Sequence, residues 1–358
     1  MHNSSCLQKT PRAQSAVLLL LTISLLFETG CSNLFGKLAR KEVGVPPVLT
    51  PLVEAESSQL IAEVNRLAST KSIHAKLDIQ FQDTSFASSG IAEKYRSADA
   101  NVTVQRPGKV YLVIQFLLAD IARMTSDGEH FRVAILKGDE KYRRFVKGTN
   151  NAIYGELKAN GSGNAPNKSQ SIKAERVAVS ALSNLRPQHL TDALLIQPIT
   201  QPPAPNLFYS KSEFFEEEPD SRPQAKKGAR VVRSYYLLEE LLQTAPGEAR
   251  LRRRFWFDRV GAIRLARLQT FDERGQLDTD VSYFGDRTLG QGTTARLPSH
   301  IELTRPKDQY KLSLTYQAPE SVTIDREYEP AVFVLENTTG LPELDLDAQK
   351  NTRATTPP

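Results

Sequence analysis

The chain has 358 residues, of which 40% are hydrophobic and 24% are charged, as in an ordinary folded protein. Its formal net charge of +5 at pH 7 is small for this length, so charge identifies no polyanionic partner, although it is compatible with an anionic lipid surface. The two cysteines, Cys6 and Cys31, exclude a disulfide framework and a cysteine-rich metal site.

Residues 1–30 have the organisation of a secretory signal. Lys9 and Arg12 precede an apolar run over residues 16–27, which is too short to span a bilayer. Gly30 and then Cys31 follow this run. The segment resembles a bacterial lipoprotein signal. That resemblance implies cleavage before Cys31 and attachment of a palmitate-type acyl lipid to its thiol.

The lipoprotein signal has one departure from the usual pattern. Glu28 stands where such signals usually have Leu, so an ordinary signal peptide with an incidental Cys31 is the alternative. Ser32 follows the cysteine, and in enteric lipoproteins a residue other than Asp at this place directs the protein to the outer membrane. We therefore expect a chain in the cell envelope, lipid-anchored in the outer membrane and facing the periplasm.

Residues 31–51 are expected to form a flexible tether, because they are rich in Gly and Pro and such a segment buries too little apolar surface to offset its ordering entropy. Their basic cluster of Lys37, Arg40 and Lys41 is either solvated or attracted to anionic headgroups. An amphipathic helix is predicted next, over residues 52–69, from apolar residues at helical spacing. These residues are Leu60, Ile61, Val64, Leu67 and Ala68.

From Ile73 onward the apolar residues recur at every second position, which predicts strands. Strands are predicted over 73–82, 98–104, 110–116, 121–124, 131–135 and 142–146. Residues 106–109 and 126–128 have the composition of tight turns between them.

The middle of the chain differs in composition. We expect an insertion over about 147–228, with an exposed loop at 160–168 and short helices at 172–185 and 189–195 that are separated by Pro187. Residues 198–228 hold six prolines and an acidic run, and are predicted to be an excursion at one rim rather than a strand.

The alternating pattern resumes at Val231 and predicts strands over 231–238, 250–258, 262–270, 277–284, 301–305 and 310–316. The fold class is therefore mainly β (α+β), with about 11–12 antiparallel strands and a few helices on one face. Residues 52–340 are expected to form this domain, and residues 341–358 a disordered tail.

One ordered series of features resembles a known family. It comprises the amphipathic helix, the first alternating strand, the Arg-Pro-Gly-Lys turn at 106–109, the Ser-Asp-Gly turn at 126–128 and the segment 297–303. The series is similar to the LolA/LolB/LppX-type lipoprotein-carrier superfamily. The resemblance implies a curved, incomplete β-barrel covered by helices, with an apolar cavity for acyl chains of lipoproteins or lipids and no chemistry.

Inward-facing apolar residues of this sheet are the candidate lining of such a cavity. If helices cover the face loosely, a dry space results that buries acyl chains at about 0.8 kcal/mol per CH₂. If they pack tightly, no cavity exists. The candidate lining residues are Ile73, Leu77, Ile79, Phe81, Val133 and Ile135.

Catalytic and metal-binding patterns are not found, so we expect no enzyme, no cofactor and no metal. The five histidines lack ligand spacing, and the Asp pairs 278/280 and 345/347 lack further ligands. Residues 290–295 match a loose dinucleotide pattern but lead into a strand, so they predict a hairpin loop. The basic run 250–257 suits a solvated face first, a lipid surface second and nucleic acid last.

Two functions follow from these features. The first is a tethered envelope lipoprotein that binds a hydrophobic ligand, with the membrane and an acyl lipid as partners and no nucleic acid. The alternative is a non-enzymatic protein-interaction or envelope-sensing lipoprotein of the same fold, with envelope proteins as partners.

The tether at Cys31 is testable by fractionation. In the Cys31→Ser chain, lipid labelling should be abolished, and the protein should leave the membrane fraction or remain unprocessed, because the acyl anchor is lost. The Cys6→Ser chain is the control, since its substitution lies in the removed segment. A Cys31→Ser protein that stays with washed membranes would show that lipid tethering at this residue is wrong.

Overall fold

The computed structural model describes residues 45–84, 93–94, 97–117, 119–137, 140, 143–150, 152, 185–291 and 296–348. The chain divides into two compact units, Met1–Pro47 and Val48–Pro358, and the following account concerns the second. Five predicted features lie outside the described residues: the signal, Cys31, the loop at 160–168, the helix at 172–185 apart from Leu185, and residues 349–358 of the tail. The predicted disorder of the tail from residue 341 is wrong for its first residues, because Glu343–Asp345 form a strand of the sheet.

The described elements are mostly strands. Helix α1 spans Ser57–Ala68 and helix α2 spans Pro187–Leu194. The strands of the first half are β1 (Ser72–Asp83), β2 (Glu93–Lys94), β3 (Ala98–Gln105), β4 (Lys109–Phe116), β5 (Ala119–Asp127), β6 (His130–Ile135) and β7 (Arg144–Thr149). Those of the second half are β8 (Leu207–Pro219), β9 (Arg230–Ala245), β10 (Glu248–Asp258), β11 (Arg264–Phe271), β12 (Leu277–Thr288), β13 (Arg296–Arg305), β14 (Tyr310–Tyr316), β15 (Thr323–Ile324) and β16 (Glu343–Asp345).

All the described strands belong to one sheet. Its order is β16-β7-β6-β5-β4-β3-β1-β14-β13-β12-β11-β10-β9-β8, with β2 and β15 paired to β1 off this path. Neighbours are antiparallel, except that β16 runs parallel to β7. The outermost strands β16 and β8 have one neighbour each, so the sheet is open. The prediction that strands before and after the middle segment share one sheet is confirmed, because β1 pairs with β14.

The sheet is strongly curved, as one short segment shows. The Arg186 guanidinium lies 5.1 Å from the ring of Phe131 on β6, and Arg253 on β10 donates a 3.0 Å hydrogen bond to the carbonyl of Gln197. Strands β6 and β10 are separated by nine strand-to-strand spacings, which would be about 43 Å in a flat sheet. The backbone from 186 to 197 spans about 22 Å, and the side chains of Arg186, Phe131 and Arg253 must bridge the rest. Because these side chains also have to reach down from the segment to the sheet, the sheet curves toward the segment, and the predicted curved, unclosed barrel of mainly β class is present.

Helix α1 begins at Ser57 and not at the predicted residue 52, because the residues before it are extended along the sheet. The amide of Leu49 donates to the Val232 carbonyl and the amide of Val53 to the Arg259 carbonyl, each at 2.9 Å. A capping box between Glu56 and Gln59 then starts the helix. The last residues of the predicted tether, from Val48, thus belong to the folded unit.

The prediction for residues 198–228 is wrong in one respect. This stretch contains β8, a 13-residue strand that pairs with β9 from Leu207 to Pro219. Its prolines lie before the strand, at its last position or after it, so none interrupts the ladder, and an edge strand tolerates proline in any case. With β8 and the short β2, β15 and β16, the described sheet has sixteen strands rather than 11–12. Helix α2 begins at Pro187, two residues before the predicted start of that helix.

A core substitution tests whether the sheet unfolds as one unit. Leu312 on β14 is 1% exposed beside the β1 junction, so Leu312→Ala should cost about 2–5 kcal/mol of unfolding free energy. Urea unfolding by far-ultraviolet circular dichroism and by fluorescence of Trp256 should shift together and stay in one transition. Lys311→Ala, on the outer face of the same strand, should change stability by about 1 kcal/mol or less. Two separated transitions would contradict the single unit.

Candidate functional site: the concave face and an outer cleft

The six predicted lining residues share one face of the sheet, the concave one. On β1, Ile73, Leu77 and Ile79 are 1%, 1% and 6% exposed, and on β6 Val133 and Ile135 are 3% and 0% exposed. Phe81 is partly buried and stacks on the Tyr310 ring, with centroids 5.5 Å apart. All six belong to or pack against one apolar cluster. That cluster takes residues from β1, β3 to β7 and β9 to β14.

Helices α1 and α2 cover this face with apolar side chains. From α1 the cluster receives Leu60, Val64 and Leu67, each 5% exposed or less. From α2 it receives Leu190, Ala193 and Leu194, and the following residues Leu195, Ile196 and Ile199 continue the cover.

A few polar contacts hold α2 and its following segment in place. The buried His189 ring shares a 2.6 Å hydrogen bond between its Nδ1 and the Tyr310 hydroxyl on β14. Arg106 donates from Nη2 to the Ile196 carbonyl at 2.6 Å. The Asn65 side chain of α1 bonds both backbone groups of Ile199, at 3.0 and 2.8 Å. Burial, together with the charges of Arg305 and Arg186, lowers the pKa of His189 well below its usual value.

Beneath the helices, the described residues line a small void. Its volume is about 10 Å³, and it is lined by Leu67, Ile73, Ala193, Leu194, Ile196, Tyr283, Leu297, Pro298, Ile301 and Tyr316. A space of this size holds about one water molecule. Ile73 is the predicted lining residue that faces it. In this conformation the helices therefore pack closely on the described part of the concave face.

The apolar face ends in a polar cluster at β8–β10. Glu240 is 1% exposed and accepts hydrogen bonds from Arg253 and from the Tyr209 hydroxyl. Burial would raise the pKa of Glu240, but the hydrogen bonds and charge of Arg253 hold it below its usual value. Burial and the adjacent Glu240 raise the pKa of Tyr209 to about 12. This polar cluster marks the end of the apolar surface on the side of β8.

A larger cleft of about 670 Å³ lies at the rim of β10–β13 and continues over the outer face of β8–β12. Trp256 lies at its floor, with the rings of Phe214 and Tyr235 edge-on at 5.2 and 5.6 Å. The Arg267 guanidinium lies 5.2 Å from the Trp256 ring, and the indole donates a 3.1 Å hydrogen bond to Gln269. The sequence analysis did not single out this cleft.

Charged side chains of both signs line the cleft. Arg233 joins Glu218 and Asp258 in ion pairs, the second at 2.8 Å. Glu63 and Arg66 of α1 pair with each other at 2.7 Å at its other wall. The lining of the cleft is thus polar and aromatic, whereas the lining of the space beneath the helices is apolar.

Three residues line both the cleft and the void: Leu67, Tyr283 and Pro298. Tyr283 lies on the concave side of β12, is 6% exposed, and its hydroxyl is buried without a hydrogen-bond partner among the described residues. Burial raises the pKa of this hydroxyl, so it remains protonated. The two spaces are therefore separated by a thin layer of side chains.

The remaining sequence features have structural roles where they are described. His74 and His300 bond the hydroxyls of Thr103 and Thr315 at 2.8 and 2.7 Å. Asp278 and Asp280 pair with Arg305 and Arg267. In the part of the chain that the structure describes, no group of three or more His, Cys, Asp or Glu side chains could hold a metal. No helix within the same described ranges is long and apolar enough to cross a bilayer.

The glycine-rich segment is placed as predicted where it is described, whereas the basic run is only partly a solvated face, since Trp256 is 9% exposed and Arg253 pairs with the buried Glu240. Trp256 and Arg254 lie on the outer face of β10, and Phe255 and Phe257 lie in the core. Residues 290–291 follow β12 and precede β13.

Comparison with known proteins finds similarity in structure only. No protein-family model and no curated protein matches the chain. A LolA superfamily protein from Nitrosomonas europaea matches with a TM-score of 0.38 and 10% identity, over 78% of this chain and 99% of that one. A DUF1329 family protein from Desulfovibrio piger matches with a TM-score of 0.37 and 12% identity, over 78% and 96%.

A putative outer membrane lipoprotein-sorting protein domain from Vibrio parahaemolyticus matches with a TM-score of 0.35 and 10% identity, over 76% of this chain and 94% of that one. Structures of the superfamily indicated by the sequence are thus among those similar to this chain. At these scores they carry no argument about function, which is argued below from the chain itself.

The buried His189 makes the stability of the domain depend on pH. Its pKa is lowered in the fold from 6.5, so protonation favours the unfolded chain and stability falls as pH drops below about 6.5. His189→Asn keeps a hydrogen-bonding group but does not titrate. Its urea midpoint should therefore change less between pH 7.5 and pH 5 than that of the wild type. His130→Asn, at an exposed position, should leave the difference unchanged. Equal pH dependence in the wild type and His189→Asn would contradict this account.

Proposed function

We propose that this protein is an envelope lipoprotein that binds a hydrophobic ligand, an acyl chain of a lipid or lipoprotein, between its concave face and helices α1 and α2, without chemistry. The observation that supports it best is the single apolar cluster that runs across β1, β3 to β7 and β9 to β14 under two short helices. The proposal includes anchoring through Cys31 and a location at the outer membrane facing the periplasm.

The binding mode follows from the small volume beneath the helices. A void of about 10 Å³ does not hold an acyl chain, so the ligand must replace contacts that α2 makes with the sheet. Helix α2 has only eight residues, and two of its buried side chains, Ala193 and Leu194, line the void. We therefore infer that α2 moves as a lid while the sheet stays in place.

A second candidate function is supported by the edge strand β8. Phe208, Phe214 and Phe215 on this strand are 48%, 40% and 51% exposed. An exposed edge strand with aromatic side chains is a surface on which another protein can add a strand. Binding of an envelope protein without lipid would favour this alternative.

Filling the void tests the carrier function. Ala193 on α2 is 1% exposed and lines the void, so Ala193→Leu should occupy it and block the path of an acyl chain. The expected stability cost is about 1–3 kcal/mol, and uptake of dansyl-undecanoic acid should fall about tenfold or more. The charge substitutions Leu77→Glu and Val133→Glu are less useful, because both sites are buried in the core and an unpaired charge there unfolds the domain.

Ala134→Leu is the matched control. Ala134 on β6 is 4% exposed and belongs to the separate cluster with Phe145 and Leu341, not to the cluster beneath the helices. Its overpacking should lower stability by a similar amount while uptake is kept. A wild-type protein that takes up no probe would overturn the carrier function and would favour the protein-interaction function.

A further inference from the structure

The cleft and the void together form one polar-to-apolar path. The cleft opens to solvent at the rim of β10–β13, and the void lies beneath α2 in the apolar cluster. Only Leu67, Tyr283 and Pro298 line both. A ligand with a polar head and an acyl chain would fit this order of surfaces.

We propose that the cleft is the head-binding site and entry portal for a zwitterionic acyl glycerophosphoester, a lipid that carries a phosphate and an ammonium in one head. Its ammonium binds Glu216, its phosphate binds Arg264, and its ester carbonyl accepts a hydrogen bond from Tyr283. The chain then enters the space beneath α2. This inference rests on the proposed function and names the ligand class and the entry side.

Glu216 is the group that suits an ammonium. Four of the five carboxylates that line the cleft are in ion pairs: Glu63 with Arg66, Glu218 and Asp258 with Arg233, and Asp286 with Arg296. Glu216 is half-buried, and among the described residues it makes no hydrogen bond and no ion pair within 4 Å. Its carboxylate lies close enough to Tyr235 and Arg267 to raise the pKa of both, and the Tyr235 and Trp256 rings of the same cleft also attract an alkylammonium.

Arg264 is the group that suits a phosphate. Its Nη2 donates to the Val260 carbonyl at 3.0 Å and lies 3.5 Å from Asp258. Within the described part of the chain its Nε and Nη1 have no partner, and the side chain is 41% exposed. A guanidinium with free donors binds a phosphate through two parallel hydrogen bonds. The other three arginines of the cleft are hydrogen-bonded to carboxylates, whereas Arg264 contacts Asp258 only at ion-pair distance.

Tyr283 supplies the connection between head and chain. Buried hydroxyls are nearly always hydrogen-bonded, and this one is not among the described residues. It is 6% exposed at the boundary between the polar cleft and the apolar void. An ester carbonyl occupies that boundary in an acyl glycerophosphoester, and it can only accept a hydrogen bond, which a protonated phenol donates.

The chain carries its own reporter for this site. Trp256 is the single tryptophan of the sequence and lines the cleft. A nitroxide on the head of a bound lysolipid should quench its fluorescence by contact, and a nitroxide at the end of the acyl chain should quench it less. The reverse order would overturn the assignment of the cleft to the head.

The ester contact is tested with 1-palmitoyl lysophosphatidylethanolamine, kept below its micelle concentration, and with its ether-linked analogue. Tyr283→Phe should weaken binding of the ester about tenfold and leave binding of the ether unchanged. The variant should fold at least as well as the wild type, because the hydroxyl has no partner to lose. Equal effects of Tyr283→Phe on ester and ether would overturn the ester contact.

The head contacts are tested with the same lysolipid and with palmitoyl lysophosphatidic acid, which has the phosphate but no ammonium. Glu216→Gln should weaken binding of the first about fivefold to tenfold and should not weaken binding of the second. Arg264→Gln should weaken both. The controls are Glu217→Gln and Arg230→Gln, whose side chains pair with each other and do not line the cleft.

The outcomes separate the two proposals. If dansyl-undecanoic acid binds but the cleft variants change no lysolipid affinity, the head site is wrong and the carrier function stands. If palmitoyl lysophosphatidic acid binds as tightly as the ethanolamine lipid, the zwitterionic preference is wrong. If neither the fatty acid nor any lysolipid binds, both proposals are wrong.

Discussion

The antiparallel pairing of β1 with β14 is the interaction on which the rest of the structure depends. It runs from Leu77↔Tyr316 to Asp83↔Tyr310 and joins the strands before the middle segment to those after it. Once these halves are joined, β7 and β8 lie near opposite edges of the sheet. The described part of the chain between them, residues 185–206, crosses from Phe131 on β6 to the start of β8. Helix α2 lies on that crossing, which places it on the concave face without any dedicated anchoring domain.

The sequence predicts the sheet well where burial is one-sided. Alternation from Ile73 to Phe81 and from Tyr310 to Tyr316 marks strands because their apolar face meets helices and their polar face meets solvent. It fails for β8, where both faces are largely exposed and the apolar alternation is lost. Segment β8 is a strand because it pairs with β9, and the sequence of one segment does not show its pairing partner. The start of α1 was missed for a similar reason, since residues 48–55 are held extended by the sheet.

The cleft could not be predicted because its residues are distant in sequence and individually ordinary. Glu216, Arg264 and Tyr283 come from β8, β11 and β12, and each is typical of a strand on a surface or in a core. The distinguishing features are the missing partners of Glu216 and Tyr283, which only the structure shows. The predicted concave residues were easier, because one alternating strand already places Leu77 and Ile79 on the same side. Sequence periodicity identifies which residues share a face of a strand. A site depends on which side chains of different strands lie beside one another, and periodicity does not show that.

For the proposed acyl ligand, the close packing beneath α2 sets a lower limit on chain length and does not exclude binding. An entering chain must compensate for the apolar contacts of Leu190, Ala193 and Leu194, which together contribute about 5 kcal/mol. At about 0.8 kcal/mol per buried CH₂, roughly six methylenes balance that loss. Short acids therefore cannot displace the helix, whereas a chain of membrane-lipid length gains enough to do so. Under the proposed function, the packed helix α2 keeps the apolar face from water in the free protein until a long chain replaces it.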